Sequence, residues 1–227
     1  MTDDLPNART TEHSRARWTT YLLYACLALD LVAIASGLTQ HGLLGRVAAG
    51  EHLLPQEARA NDARQGAIGR LQILAFIITG IVWLVWLHKA YSNLGLAGTK
   101  KSRFTAGWAV GYWFVPFVNL VRPYQIVVDL WLRSDQLNTR ESVMSLPRPA
   151  VISWWWGVYL VSAFGGRLFT SLAREARSVD ELINVTDVGM LVDAIGIVSA
   201  LLAVTVVRGV DQRQQRLLAP SSDAATA

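Results

Sequence analysis

The stretch Leu71-Gln72-Ile73-Leu74-Ala75-Phe76-Ile77-Ile78-Thr79-Gly80-Ile81-Val82-Trp83-Leu84-Val85-Trp86-Leu87 holds seventeen residues without a charged side chain. Coiled as a helix it rises about 25 Å, close to the hydrocarbon core of a bilayer at roughly 30 Å. Only a helix serves there, because a backbone amide left unpaired in lipid costs several kcal/mol and a helix satisfies its own. Three further stretches read the same way: Trp18–Leu38, Val151–Phe164 and Val188–Val207.

The rest of the composition agrees. Of 227 residues 52% are hydrophobic and only 17% charged, far from the balance of a soluble domain. The net charge of +4 is divided among segment flanks and builds no basic patch with interleaved aromatics, so no nucleic-acid partner is expected. The single Cys26 excludes an intrachain disulfide and a cysteine metal pair. His13, His41, His52 and His88 stand singly, and neither a metal nor another cofactor is expected. The polar Met1 to Arg17 before an apolar run resembles a signal peptide, with Ala33-Ile34-Ala35 as its cleavage pattern. The run exceeds the usual apolar core of about 7–15 residues and is read as a retained span.

Lys and Arg collect on the cytoplasmic side of span ends. Arg9, Arg15 and Arg17, then Lys89, Lys100, Lys101 and Arg103, then Arg208, Arg213 and Arg216 place both termini and the loop after the second span inside. The loop 40–70 is offset by Glu51, Glu57 and Asp62, and 171–187 is net acidic, so both suit the outside. Trp18 and Trp154-Trp155-Trp156 fall where indole rings anchor at headgroup level. Pro55 with Glu57 behind it predicts a helix leading into the second span.

The segment 104–132 begins and ends on the cytoplasmic side and so does not cross once. Gly107 to Val115 is apolar; Pro116 then removes a donor and pushes Val115 out of helical geometry. Asn119 is suited to bond the freed backbone groups, and Pro123 fits the first turn of a new helix. In that helix Gln125, Asp129 and Arg133 form a polar stripe with an Asp129–Arg133 pair, opposite Tyr124, Val127, Val128 and Trp131, the pattern of a helix lying in the interface.

The expected architecture is therefore an all-α integral membrane protein. It has a cytoplasmic polar tail 1–17 and one polytopic domain 18–207, with spans near 18–38, 68–88, 151–170 and 188–207. The Pro-broken element 104–132 is re-entrant or interfacial, and a disordered cytoplasmic tail 208–227 follows. Six short spans are the alternative. Arg far exceeds Lys, as a GC-rich bacterial genome tends to encode, and the expected location is a bacterial plasma membrane.

Ionisable groups at membrane depth cost at least ~2.5–3.5 kcal/mol unless paired or hydrated. Asp30, Arg167 and Asp193 are therefore the candidate functional residues, either as a proton or cation relay or as an ion pair fixing helix register with Arg167 snorkelling outward. Trp113, Pro116, Asn119, Arg122, Pro123, Gln125 and Asp129 are the candidate broken-helix motif. Gly165, Gly166, Gly189, Ala194, Gly196 and Ala200 permit close helix approach, within one chain or between two. No serine elbow, phosphate-cradling loop or zinc-protease motif is present, and no enzyme is expected.

One resemblance joins these features. Trp86, Ala90, Tyr91, Asn93 and Leu94, then Gly107-Trp108-Ala109-Val110, Trp113-Phe114-Val115-Pro116, Asn119-Leu120, Arg122-Pro123 and Asp129-Leu130-Trp131 resemble the bacterial membrane family described as domain of unknown function 4328, over about 71–132. The resemblance implies a multispanning membrane protein found largely in actinobacteria and no particular activity. The first functional expectation is an envelope scaffold or regulatory protein with the lipid bilayer, itself or other envelope proteins as partners. The alternative is a small-solute or ion transporter with a polar path near Asp30, Arg167 and Asp193.

Overall fold

The computed structural model describes residues 4–96, 103–135 and 148–217. Six α-helices occur among them: α1 (Asp4–Ala48), α2 (Pro55–Leu96), α3 (Ala106–Gly111), α4 (Arg122–Ser134), α5 (Ala150–Glu175) and α6 (Val179–Leu217), with a 3₁₀ turn at Val118–Leu120 before α4. Lys100, Lys101, Arg140 and the chain beyond Leu217 lie outside the described residues.

The long helices overrun the expected spans. α1 has 45 residues, roughly 67 Å at the helical rise, and takes in residues 4–17 of the polar tail and the first part of the loop 40–70. Nothing breaks it sooner: Pro6 lies in its first turn, where proline is tolerated, and Gly50 at φ 90° provides the left-handed residue that ends it. α2 starts at Pro55 as expected, and Glu57 Oε2 accepts from the Leu54 N–H at 3.2 Å. α6 begins early because Ser178 and Glu181 form a reciprocal capping box, at 3.2 and 3.0 Å, and it continues well past Val207.

Among the described residues three helical stretches are long and apolar enough to cross a membrane: His13–Ala48, Pro55–Leu94 and Val179–Arg216. The 26-residue α5 is long enough to cross and carries Arg167 in its second half. Large apolar side chains point outward, among them Leu31, Ile73, Leu74, Phe76 and Leu191. A patch of that kind belongs against lipid rather than water. The tryptophan run departs from expectation, since Trp154 is exposed whereas Trp155 and Trp156 are buried.

Contacts divide the chain into two units. The first comprises Met1–Tyr21, Thr79–Trp154 and Leu202–Ala227; the second comprises Leu22–Ile78 and Trp155–Leu201. In the second unit Gly165 and Gly189 serve packing within the chain, whereas a side-chain carbon added at Gly166 would meet nothing within 4 Å and Ala194 is exposed. A side-chain carbon added at Gly165 would meet Val192 at 3.1 Å, and one at Gly189 would meet the Phe169 ring at 2.9 Å.

The first unit contains the broken element. Thr105 caps α3 by accepting from the Trp108 N–H; α3 ends at Gly111, before the break expected at Pro116, and Pro123 sits in the first turn of α4 as expected. The Asp129–Arg133 part of the α4 polar stripe is turned inward rather than toward an aqueous interface, while Gln125 stays half-buried. Asp129 and Arg133 are both buried and paired at 2.9 Å, and the Tyr91 hydroxyl of α2 donates to the other Asp129 oxygen. Gln214 of α6 donates to the Ala90 carbonyl at 2.7 Å and to Ser134 Oγ at 3.4 Å. The carboxylate draws the stripe to the core because it finds two donors there and would otherwise be desolvated alone.

Asp129→Ala leaves a buried guanidinium without its carboxylate and is expected to destabilise the protein by about 3–5 kcal/mol. Thermal unfolding in detergent measures the loss, and a change under about 0.5 kcal/mol, the size of an exposed pair, contradicts this placement.

Candidate functional site: a bridged carboxylate pair

Asp30 on α1 and Asp193 on α6, both half-buried, belong to the second unit and meet at one side chain of α2. Gln72 Nε2 donates to Asp30 Oδ1 and to Asp193 Oδ1, each at 3.0 Å. An amide nitrogen has two hydrogens, so this bridge uses both. The helices place it simply: Leu71, Ile73 and Leu74 on either side of Gln72 are exposed, which leaves Gln72 on the inward face. Gly196 completes the seat, since a side-chain carbon there would lie 2.8 Å from Asp30 Oδ2.

One face of the same three helices carries a second polar tier. Gln40 donates to Thr186 Oγ1 at 2.9 Å, and Asn61 donates to Gln40 Oε1 at 3.3 Å. Arg64 donates to Ser36 Oγ at 2.9 Å and to Asn61 Oδ1 at 2.7 Å, while Gln65 donates to the Ser36 carbonyl at 3.2 Å. Beyond them His41 faces Asp187 at 3.5 Å. Between the tiers Met190 lies against Gly37, where an added side-chain carbon would meet its Cγ at 2.7 Å. Thr186, Met190 and Asp193 follow one helical face of α6, so the thioether occupies the step between tier and pair.

Arg167 does not join the carboxylates. It is exposed, its guanidinium stands 5.3 Å from the Phe164 ring centre, and among the described residues it makes no ion pair with Asp30 or Asp193. The expected register-fixing ion pair is thus replaced by a neutral bridge. Sequence reasoning missed Gln72 because it searched the spans for ionisable groups. The available signal was a lone amide in an otherwise apolar run.

The broken-helix candidates sit apart from this pair, in the first unit. Trp113 approaches Trp83 at 6.4 Å between ring centres, Arg122 donates to Gln125 Oε1 at 2.9 Å, and Pro123 is buried. Asn119 uses its backbone N–H, bonded to the Val115 carbonyl at 2.9 Å. Asp129 belongs to the Tyr91 and Arg133 network. His13, left single by the sequence, lies 2.9 Å from Asp211 Oδ2, with Gln215 against both. Among the described residues no group of three or more His, Cys, Asp or Glu side chains is arranged to hold a metal.

A family model, Domain of unknown function (DUF4328), matches residues 49–212. The chain belongs to this family. The DUF4328 match extends beyond the resembling stretch 71–132 and takes in Gln72, Arg167, Asp193 and the whole broken element, while Asp30 lies before it. No curated protein and no solved structure matches the chain. This member of DUF4328 is a helical, membrane-associated protein with buried polar networks.

Gln72→Leu is expected to lower stability by about 1–3 kcal/mol, since both carboxylates lose a donor. In a double-mutant cycle with Asp30→Leu the two losses should be non-additive by at least about 0.5 kcal/mol. Simple additivity in detergent unfolding contradicts the bridge.

Proposed function

We propose that this protein is an ion or small-solute transporter in which the Asp30–Gln72–Asp193 cluster holds one proton or one monovalent cation. Support comes from a single observation: two carboxylates share one amide inside apolar helices and face no cationic side chain among the described residues. Two such groups at close range resist carrying two full charges in a medium of low dielectric, and a proton or small cation removes the conflict. The polar tier built on Gln40, Asn61 and Arg64 supplies hydrogen-bonding groups along the same helix face. Met190 on Gly37 is then the apolar step that a permeant ion must pass.

In this reading α5 is the fourth crossing helix, and the segment from α3 to α4 enters the bilayer from the cytoplasmic face and returns. Both termini are cytoplasmic, by the Arg and Lys distribution, in a bacterial plasma membrane. The mechanism is binding and release, with no catalysis. A scaffold needs no charge at membrane depth beyond an internally neutralised pair, and the carboxylates here lack the arginine that would neutralise them.

Charge movement after a pH jump across supported membranes bearing the protein tests the proposal without knowledge of a co-substrate. The wild type should give a transient that Asp30→Asn and Asp193→Asn abolish and Arg167→Gln retains. Folded wild-type protein that gives no transient on a pH jump, and none on a jump in sodium or potassium, excludes the proposal.

A further inference from the structure

The broken element in the first unit contains a feature that neither the carboxylate pair nor the proposed transport uses. Arg103, Phe117, Val118, Val121, Arg122 and Gln125 line an open cavity of about 510 Å³. Its two cations have no acidic partner among the described residues. Arg122 is steadied by rings instead, 5.8 Å from the centre of Phe104 and 5.7 Å from that of Tyr112, and Arg103 stands 5.6 Å from Phe104. Gln125 accepts from Arg122 through its carbonyl oxygen and so keeps both amide hydrogens for a ligand.

The wall opposite in character is apolar and turned outward. Phe117 is 85% exposed and Val121 is 53% exposed, with Phe114 nearby in the chain at 71%. Phe117 is also the described non-glycine residue with positive φ, at 62°, and the Val118 N–H bonds the Pro116 carbonyl at 2.7 Å across it. That is a γ-turn of the strained, positive-φ kind, which a bulky residue adopts only when the surroundings compensate. Pro116 fixes the approach to the turn, and the ring is held out where water would disfavour it.

We infer that this cavity binds the phosphate-bearing headgroup of an anionic phospholipid, with Arg122 and Arg103 on the phosphate and Phe117 and Val121 against the acyl chains. Guanidinium groups match phosphate oxygens in a bidentate fork, and their charge selects an anionic headgroup over a zwitterionic one. A soluble phosphate accounts for the cations but not for the exposed apolar wall. The chain already resides in a membrane, so the lipid is the occupant that meets both walls. The assignment stands independently of the transport reading.

The test uses full-length protein in neutral detergent with fluorescent short-chain phosphatidylglycerol as the probe. Unlabelled phosphatidylglycerol should displace it at least about tenfold better than phosphatidylcholine, and Arg122→Gln and Arg103→Gln should each weaken binding about fivefold. Arg174→Gln, an exposed arginine that does not line the cavity, should leave binding unchanged. Phe117→Gly relieves the turn, so it should raise the unfolding temperature while weakening probe binding, a combination that misfolding does not produce. Equal displacement by the two lipids, binding indifferent to both arginine variants, or full displacement by millimolar inorganic phosphate overturns the assignment.

Discussion

Hydrocarbon offers no hydrogen bonds, so a polar side chain within a crossing helix must find its partner on another helix or in water. The amide of Gln72 is where that constraint is met in the second unit, because its two N–H groups serve carboxylates from α1 and α6. Three helices are thereby tied by one side chain. Gly196 lies under Asp30 and Gly37 under Met190, and a larger residue at either glycine would force the Asp30 or Met190 side chain to move. A neutral bridge also leaves the acids without a counter-charge among the described residues.

The first unit meets the same constraint differently. There a full ion pair is buried, with Asp129 receiving from Arg133 and Tyr91, and Gln214 joins α6 to the end of α2 and to Ser134. Asp129 receives two donors, one on each oxygen, whereas Asp30 and Asp193 receive one each. The two units thus differ in the number of donors that their carboxylates receive. Breaking the pattern at Pro116 lets the chain turn, and the strained γ-turn at Phe117 presents an aromatic ring outward beside the guanidinium groups of Arg103 and Arg122.

Much of this architecture was legible in the sequence, for local reasons. Uncharged runs mark the long helices, Pro55 with Glu57 marks the start of α2, and Pro116 and Pro123 mark the break and restart. The Asp129–Arg133 pair follows from spacing alone, as does the DUF4328 resemblance from its Trp, Pro and Asn pattern. Less legible was direction around a helix axis. Depth along a helix can be counted from its ends, and on that basis Asp30, Asp193 and Arg167 share a level; rotation then turns Arg167 outward and brings Gln72 in. Tyr91 and Gln214 reach their partners from 38 and 80 residues away, distances at which periodicity has nothing to say. Helix ends were underestimated because hydropathy marks where lipid stops, whereas a helix stops at a cap or a breaker.

The central claim is that water or an ion reaches the Asp30–Gln72–Asp193 cluster from solution. Replacing Asp30 with cysteine in a Cys26→Ala background, followed by labelling with a membrane-impermeant thiol reagent, addresses it most directly, with Leu74→Cys as the lipid-facing control and Glu51→Cys as the exposed one. Labelling at position 30 with protection at position 74 is the predicted result. Complete protection at position 30, while position 51 reacts normally, would contradict the account and leave the carboxylate pair as a sealed structural joint.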